Sequence, residues 1–350
     1  MFDHEVVGNL HIHSLHSDGA GTVAEIAATA SAAGLDFICI NDHDTMMDSL
    51  PLQEEGFYGK ILVLVGLEIG GESHHYLAYG IHSLIRSEKL GAQDVIDRVG
   101  EQGGFGYLAH PFERGMPFVE RSRAYRWKDL SVRGFSGICI WNFSSRWKER
   151  IKTPLHGLFH LLFKRRALKG PSRETLSFWD SQCREGRVSA IGGSDAHGGL
   201  FRWGPFHFTP LHYRFLLNTI NVHVLLPRRI PGDFAQAKNL LYEAMRSGRM
   251  FVAHDGLCPA KGFRFDFASD DGSDLYMGEE GRFHPGDLVV ELPREGDIRL
   301  FRDGGLVRSW RGSEAVFRVE KKGVYRVEVF QHVFLFGWRP WIYSNPIYLR

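Results

Sequence analysis

Short apolar runs alternate with amphipathic or alanine-rich stretches over roughly the first 250 residues of the chain. The pattern predicts strands at residues 6–10, 37–41, 61–67, 105–109, 137–141, 188–191 and 222–226, and helices at 22–33, 94–102, 175–185 and 234–247. Such an alternation belongs to the α/β class. Thr22 and Glu25 have the spacing of a capping box, and Gly34 can close the helix they open. Beyond Asp255 the helical period disappears. Alternating stretches at 297–302, 315–319 and 323–330, separated by Gly and Asp turns, predict a small β-sandwich-like domain. Two domains are therefore expected, at 1–255 and 256–350, with a basic insertion around 144–174 in the first. The aromatic-rich ending WRPWIYSNPIYLR is expected to pack on an edge.

Composition narrows the class without naming a chemistry. A chain of 350 residues, 43% hydrophobic, buries at least one large core. Its 42 basic and 41 acidic residues leave a net charge of +1, so no global field draws it to nucleic acid, and no stable nucleic-acid partner is expected. The four cysteines, at 39, 139, 183 and 258, form no CxxC pair; Cys39 and Cys139, inside apolar runs, read as free buried thiols, and a reducing cytoplasm is expected. The N-terminus lacks a signal-peptide pattern, and no stretch approaches the ~20 apolar residues of a transmembrane segment.

Chemistry becomes legible at HIHSLHSDG, residues 11–19. His11 and His13 stand at the exit of the first strand, where positions i and i+2 point the same way, and Asp18 offers a carboxylate in the next turn. The same residue types recur at the ends of later strands: His43 in NDHDT, Glu68 in LVGLEI, His74 and His75 in GGESHHYLAYG, His110 in YLAHP, and Asp195 with His197 in IGGSDAHG. Ligands gathered at one end of successive strands converge in space. His75 is preferred to His74 because HYLAYG reads as a strand starting there.

Taken in order, HIHSLHSDG, NDHDT, GLEI, AHP and GGSDAHG resemble the motifs of the PHP family, named for polymerase and histidinol phosphatase. The resemblance implies a distorted seven-stranded (β/α) barrel of parallel strands, with two or three divalent metal ions at the strands' C-terminal ends. It implies that His11, His13, Glu68 and Asp195 hold one ion, that Asp18, His43 and His197 hold a second, and that Glu68 bridges to a third held also by His75 and His110. Two positions depart from the pattern: Cys139 stands where many relatives carry an acid, and Asn9 precedes HIH where Asp is common. The β domain with its WIYSNPIYL-like ending is similar to the carbaryl-hydrolase-like branch.

Zn, Mn and Fe all accept such a mixed nitrogen and oxygen set. Adjacent ions ~3.5–4 Å apart lower the pKa of a shared, metal-bridging water to about 7, supplying hydroxide at neutral pH. The expected function is hydrolysis of a small-molecule or nucleotide phosphoester. Hydrolysis of a carbamate or carboxylic ester at the same metals is the enzymatic alternative, and a metal-stabilised binding module the non-enzymatic one. Arg114, after His110-Pro111, reads either as a phosphate contact or as a surface salt bridge. Asp44 can orient an imidazole or cap a turn, Ser194 reads as a turn residue positioning Asp195, and His254 as structural. Residues 146–173 hold nine Lys or Arg and one acid among Leu and Phe. That segment reads as a lid over phosphorylated substrate, as a basic amphipathic helix touching an anionic surface, or as a helix packed on the barrel with its cations in water.

Overall fold

The computed structural model describes residues 4–71, 73–118, 124–203 and 206–350. The chain opens with β1 (His4–Ile12), α1 (Val23–Ala32), β2 (Phe37–Ile40), β3 (Gly56–Tyr58) and β4 (Ile61–Val65). β1, β2 and β4 run parallel, and β3 turns back along β4. The capping box of α1 is formed: Thr22 Oγ1 accepts from the Glu25 N–H at 3.3 Å, and Glu25 Oε2 accepts from the Thr22 N–H at 2.9 Å. Val23, Ile26, Ala27 and Ala30 form its buried face, in one core with Ile38, Ile40 and Val63.

The expected strand 61–67 is split at Gly66, where a Cβ would lie 2.5 Å from the Ala78 carbonyl oxygen. Past that point the chain enters a second sheet of β5 (Leu67–Ile69), β6 (Tyr76–Tyr79), β7 (Phe105–Leu108), β8 (Gly137–Asn142) and β9 (Ser189–Gly193). Helix α2 (Ala92–Glu101) precedes β7, and α3 (Phe143–Lys148), α4 (Pro154–Leu162) and α5 (Arg173–Glu185) lie between β8 and β9. β5, β6 and β7 pair antiparallel, whereas β7, β8 and β9 are parallel. Residues 70–75 are too few for a parallel crossover, so a hairpin forms. Its turn needs Gly70, whose φ is +147° and whose Cβ would sit 1.9 Å from the His74 carbonyl oxygen.

The chain then forms a hairpin of β10 (Phe201–Trp203) and β11 (Phe206–Phe208), α6 (Tyr213–Leu216), β12 (Ile220–Leu226), α7 (Phe234–Ser247) and β13 (Met250–His254). β12 pairs antiparallel with β1, and β13 antiparallel with β12. The expected barrel of seven parallel strands is thus corrected to two mixed sheets sharing an inner core that includes Leu10, Leu64, Leu77, Tyr107, Ile191 and Val222. Isolated bridges between Ile12 and Ala196 and between His43 and Glu68 join the sheets at one end.

The C-terminal strands are β14 (Arg264–Ser269), β15 (Leu275–Tyr276), β16 (Glu280–Gly281), β17 (Gly286–Arg302), β18 (Gly305–Val319), β19 (Gly323–Val333), β20 (Gly337–Ser344) and β21 (Ile347–Leu349). They do not form a detached sandwich. β20 pairs with β13, so one sheet runs from β3 through β1 and β13 into β19, β17 and β14. The aromatic ending accordingly lies inside this sheet rather than on an edge: β20 stands between β19 and β13, and β21 pairs with β16 and β19. Asn345 fastens it to the second sheet, its Oδ1 accepting from the Ala190 N–H at 2.6 Å and its Nδ2 donating to Ala190 O at 3.0 Å. All four cysteines are free and buried, and no described helix is long and apolar enough to cross a membrane.

Candidate metal centre

The end of the two sheets closed by those bridges gathers all nine side chains expected there. His11 ends β1 and His13 follows it; His43 follows β2, Glu68 lies in β5, His75 precedes β6, His110 follows β7, and Asp195 and His197 follow β9. Glu68 is the hub. Its Oε2 lies 3.0 Å from His11 Nε2, 3.2 Å from His13 Nε2 and 3.5 Å from His43 Nδ1, while Oε1 lies 2.9 Å from His75 Nδ1 and 3.2 Å from His110 Nε2. Asp195 Oδ1 stands 3.5 Å from His11 Nε2 and 3.3 Å from His13 Nε2. Asp18 Oδ2 meets His197 Nε2 at 3.3 Å and His43 Nε2 at 3.9 Å.

Three groups have ligand atoms close enough to hold a metal: His11, His13, Glu68 and Asp195; His13, Asp18, His43 and His197; and His43, Glu68 and His75. The donor chemistry suits a divalent cation. His11 Nδ1, both nitrogens of His13 and His110 Nδ1 are buried without a hydrogen bond, although buried polar atoms are normally paired. Five imidazoles crowd one carboxylate, and cations set among them would give these nitrogens partners.

Electrostatics without metal points the same way. Burial opposes a charged His13, but the Asp195 and Glu68 carboxylates outweigh it and raise its pKa to about 10. Burial likewise opposes the charge of His110, which Glu113 and Glu68 lift to about 9. Burial lowers His43 to about 4 despite Glu68, leaving a neutral imidazole with a lone pair to offer. Glu68 and Asp195 are held well below the carboxylate range against the cost of burial, chiefly by the charge of His11. Asp18 falls to about 2, burial being outweighed by His197.

Strain marks two of these positions. His110 has φ +26° and Asp195 φ +53°, values that side-chain-bearing residues rarely adopt. The loop carrying His13 and Asp18 is fixed by Asp42, which accepts from the Ser14 N–H at 2.7 Å and from the hydroxyls of Ser14 at 2.6 Å and Ser17 at 2.5 Å. Ser194 donates to Asn9 Oδ1 at 2.9 Å, and Asn9 Nδ2 donates to Ile220 O at 3.0 Å. Asn9 is therefore a strut behind the turn that presents Asp195. Asp44 touches no imidazole; it accepts from the N–H groups of Gly70 at 3.0 Å and Ser87 at 2.6 Å. His74 turns away to Ser73 and Trp127, and His254 packs edge-on to Trp141.

A cavity of about 390 Å³ opens over the cluster. Three of its walls carry no signal in the sequence pattern. Glu113, buried, places Oε2 3.2 Å from His110 Nδ1 and Oε1 2.5 Å from Lys148 Nζ. Tyr125 stacks on His75 with ring centres 4.6 Å apart. Lys148 on α3 brings the cavity a cation, while Arg114 lies outside the lining, its Nη2 2.7 Å from both oxygens of Glu174. Asn142, at the end of β8, donates to Asp195 Oδ2 at 3.1 Å. Cys139 is buried in the inner core, where burial lifts its thiol to about 12.

Residues 9–128 match the PHP domain. The PHP match takes in seven of the nine clustered side chains, all but Asp195 and His197. No curated protein matches the chain at a significant level. Among solved structures, a two-domain protein from Bacteroides vulgatus containing a predicted PHP-like metal-dependent phosphoesterase is 15% identical, covers 98% of this chain and 95% of its own, and aligns with a TM-score of 0.45. A Bifidobacterium adolescentis protein described as a metal-dependent phosphoesterase is 16% identical over 55% of this chain and 87% of its own, with a TM-score of 0.33. A Chromobacterium violaceum amidohydrolase with bound sulfate and no metal is 15% identical over 54% and 87%, with a TM-score of 0.30.

Proposed function

We propose that the chain is a metal-dependent hydrolase of small-molecule or nucleotide phosphoesters, with the PHP segment and the Asp195 turn together forming its catalytic unit within residues 1–255. The observation that carries the reading is the convergence of nine His, Asp and Glu side chains, several of whose buried nitrogens form no hydrogen bond among the described residues. His11, His13, Glu68 and Asp195 would hold one ion and Asp18, His43 and His197 a second, with Glu68, His75 and His110 available to a third. When bound, such ions supply a nucleophile activated at neutral pH and a positive clamp on substrate oxygens.

The chain's own residues do the rest. Glu113 fixes the ring of His110 from behind, as carboxylates commonly fix metal-binding imidazoles. Lys148, oriented by the same carboxylate, offers positive charge to a phosphoryl group entering the cavity. Tyr125, flat on His75, forms an aromatic wall on which a substrate ring can rest. No serine or cysteine nucleophile is needed.

The reading is tested by metal content of protein purified without chelator, with phosphate release from phosphomonoesters and nucleotides, for wild type and Asp195→Ala. At least two bound ions and turnover lost in the variant are expected. Bound ions without phosphate release would move the reaction to carbamate and carboxylic esters. A folded protein that takes up no metal would end the enzyme reading.

A further inference from the structure

The basic segment between β8 and β9 is not absorbed by the metal centre. Within it, α4 carries Leu155, Leu158, Phe159 and Leu162 at the i, i+3, i+4 and i+7 spacing of one helix face. That face is not turned to the core. The four side chains are 77%, 55%, 43% and 68% exposed, and none of α4 is buried. The helix rests on the core through Leu161, off this face, and leaves the face uncovered.

A second element extends the face. The turn between β19 and β20 projects Phe334 and Leu335, 80% and 86% exposed, with Leu335 in the left-handed region at φ +67°. Phe336, beside them, lies with its ring 6.2 Å from Phe159 and 5.3 Å from Phe163. Arg339 stacks on Phe336 and donates from Nε to Arg166 O at 2.7 Å. Two elements far apart in sequence thus present one continuous apolar surface.

Cations flank it along the chain. Residues 150–173 hold seven Lys or Arg and no Asp or Glu. Lys152, Arg165, Arg166 and Lys169 are exposed and, among the described residues, form no ion pair. Trp147 on α3 donates to His160 O at 3.1 Å, holding α4 against the helix that supplies Lys148 to the cavity.

We propose that this face docks the protein peripherally on an anionic lipid bilayer. Leucine and phenylalanine projecting from a helix, flanked by Lys and Arg that form no ion pair among the described residues, match the acyl boundary and the charged headgroups together. A nucleic-acid backbone would satisfy the cations but leave the leucines in water. A second copy of the chain would cover the leucines but set like charge against like, with no carboxylate in the segment to relieve it.

The test is flotation of the full chain with vesicles of phosphatidylcholine, with and without phosphatidylglycerol. Wild type is expected to float with the anionic vesicles alone and to be released by high salt. The pair Leu158→Glu and Leu335→Glu, and separately the pair Lys152→Glu and Lys169→Glu, should each weaken binding by roughly tenfold or more. All four sites are exposed, so thermal midpoints should stay at the wild-type value. Failure to float, or flotation indifferent to both pairs, would overturn the proposal. So would a dimer, seen by light scattering, that both pairs dissociate.

Discussion

Two clusters of buried ionisable groups stand at opposite ends of β1, and they differ in how completely they are paired. At the far end from the metal centre, His223 Nδ1 lies 2.7 Å from Glu5 Oε1, and its Nε2 lies 3.0 Å from Asp255 Oδ2. Glu5 Oε2 accepts from the Gly262 N–H and from Arg264, both at 2.8 Å. Both ring nitrogens of His223 are used, and the opposed charges close on one another. At the centre around Glu68, His11, His13 and His110 keep nitrogens without hydrogen bonds. A completed network holds a fold together; an uncompleted one awaits a ligand. Cavity size and donor chemistry point to opposite ends, because the groove beside Glu5 measures about 930 Å³ against about 390 Å³ over the His, Asp and Glu cluster.

The largest expected effect is at the hub. Glu68→Gln should abolish metal retention and lower turnover by roughly 10³-fold or more, since several kcal/mol of transition-state stabilisation depend on the ions. Metal analysis and initial rates check this, and a variant that keeps both would dissolve the contrast. His223→Gln should do the reverse, leaving bound metal unchanged while costing about 3 kcal/mol in urea unfolding, because it strands buried Glu5 and Asp255.

The same histidine gives a pH signature. Burial opposes its charge, but Asp255 and Glu5 outweigh burial and raise its pKa to about 9. The stabilisation it contributes, on the order of 2–3 kcal/mol, is complete below the unfolded value near 6.5 and is lost as pH rises through 9. The gap in unfolding free energy between wild type and His223→Gln should therefore shrink across that interval; a constant gap would show that His223 does not titrate there.

Smaller effects sharpen the metal side. Glu113→Gln keeps the size of the side chain but removes the charge behind His110, and a 10–100-fold loss of metal affinity is expected by competition with a chelator. Arg114→Ala should change turnover by less than about threefold, as for an exposed ion pair. A much larger loss would restore Arg114 as a phosphate contact.

The nine clustered side chains were legible in the sequence because most of them sit within or a few residues from the end of a β-strand, where periodicity gives the strand and the motif gives the candidate ligand. Glu113, Lys148 and Tyr125 were not, since a turn, a short helix and an irregular stretch bring them to the cavity. Lys148 was also hidden in a basic segment read as one block. Among the strands, apolar runs located β1, β2, β7, β8, β9 and β12 but not their directions. All seven residues of β12 are buried, so INVHVLL reads as a continuous run whichever way it pairs. Alternation in the C-terminal region marked half-buried strands but could not say that β20 would pair with β13.

Asn345 has a consequence for the order of assembly. It clamps Ala190 in the strand that leads to Asp195, and Tyr348 accepts from the Val188 N–H at 3.0 Å beside it. Both clamps come from residues at least 155 positions further along the chain. The PHP-matching segment emerges early with seven of the nine clustered side chains, yet the strand delivering Asp195 is locked only once residues 345–348 are available. Chains truncated before Asn345 should therefore retain metal poorly.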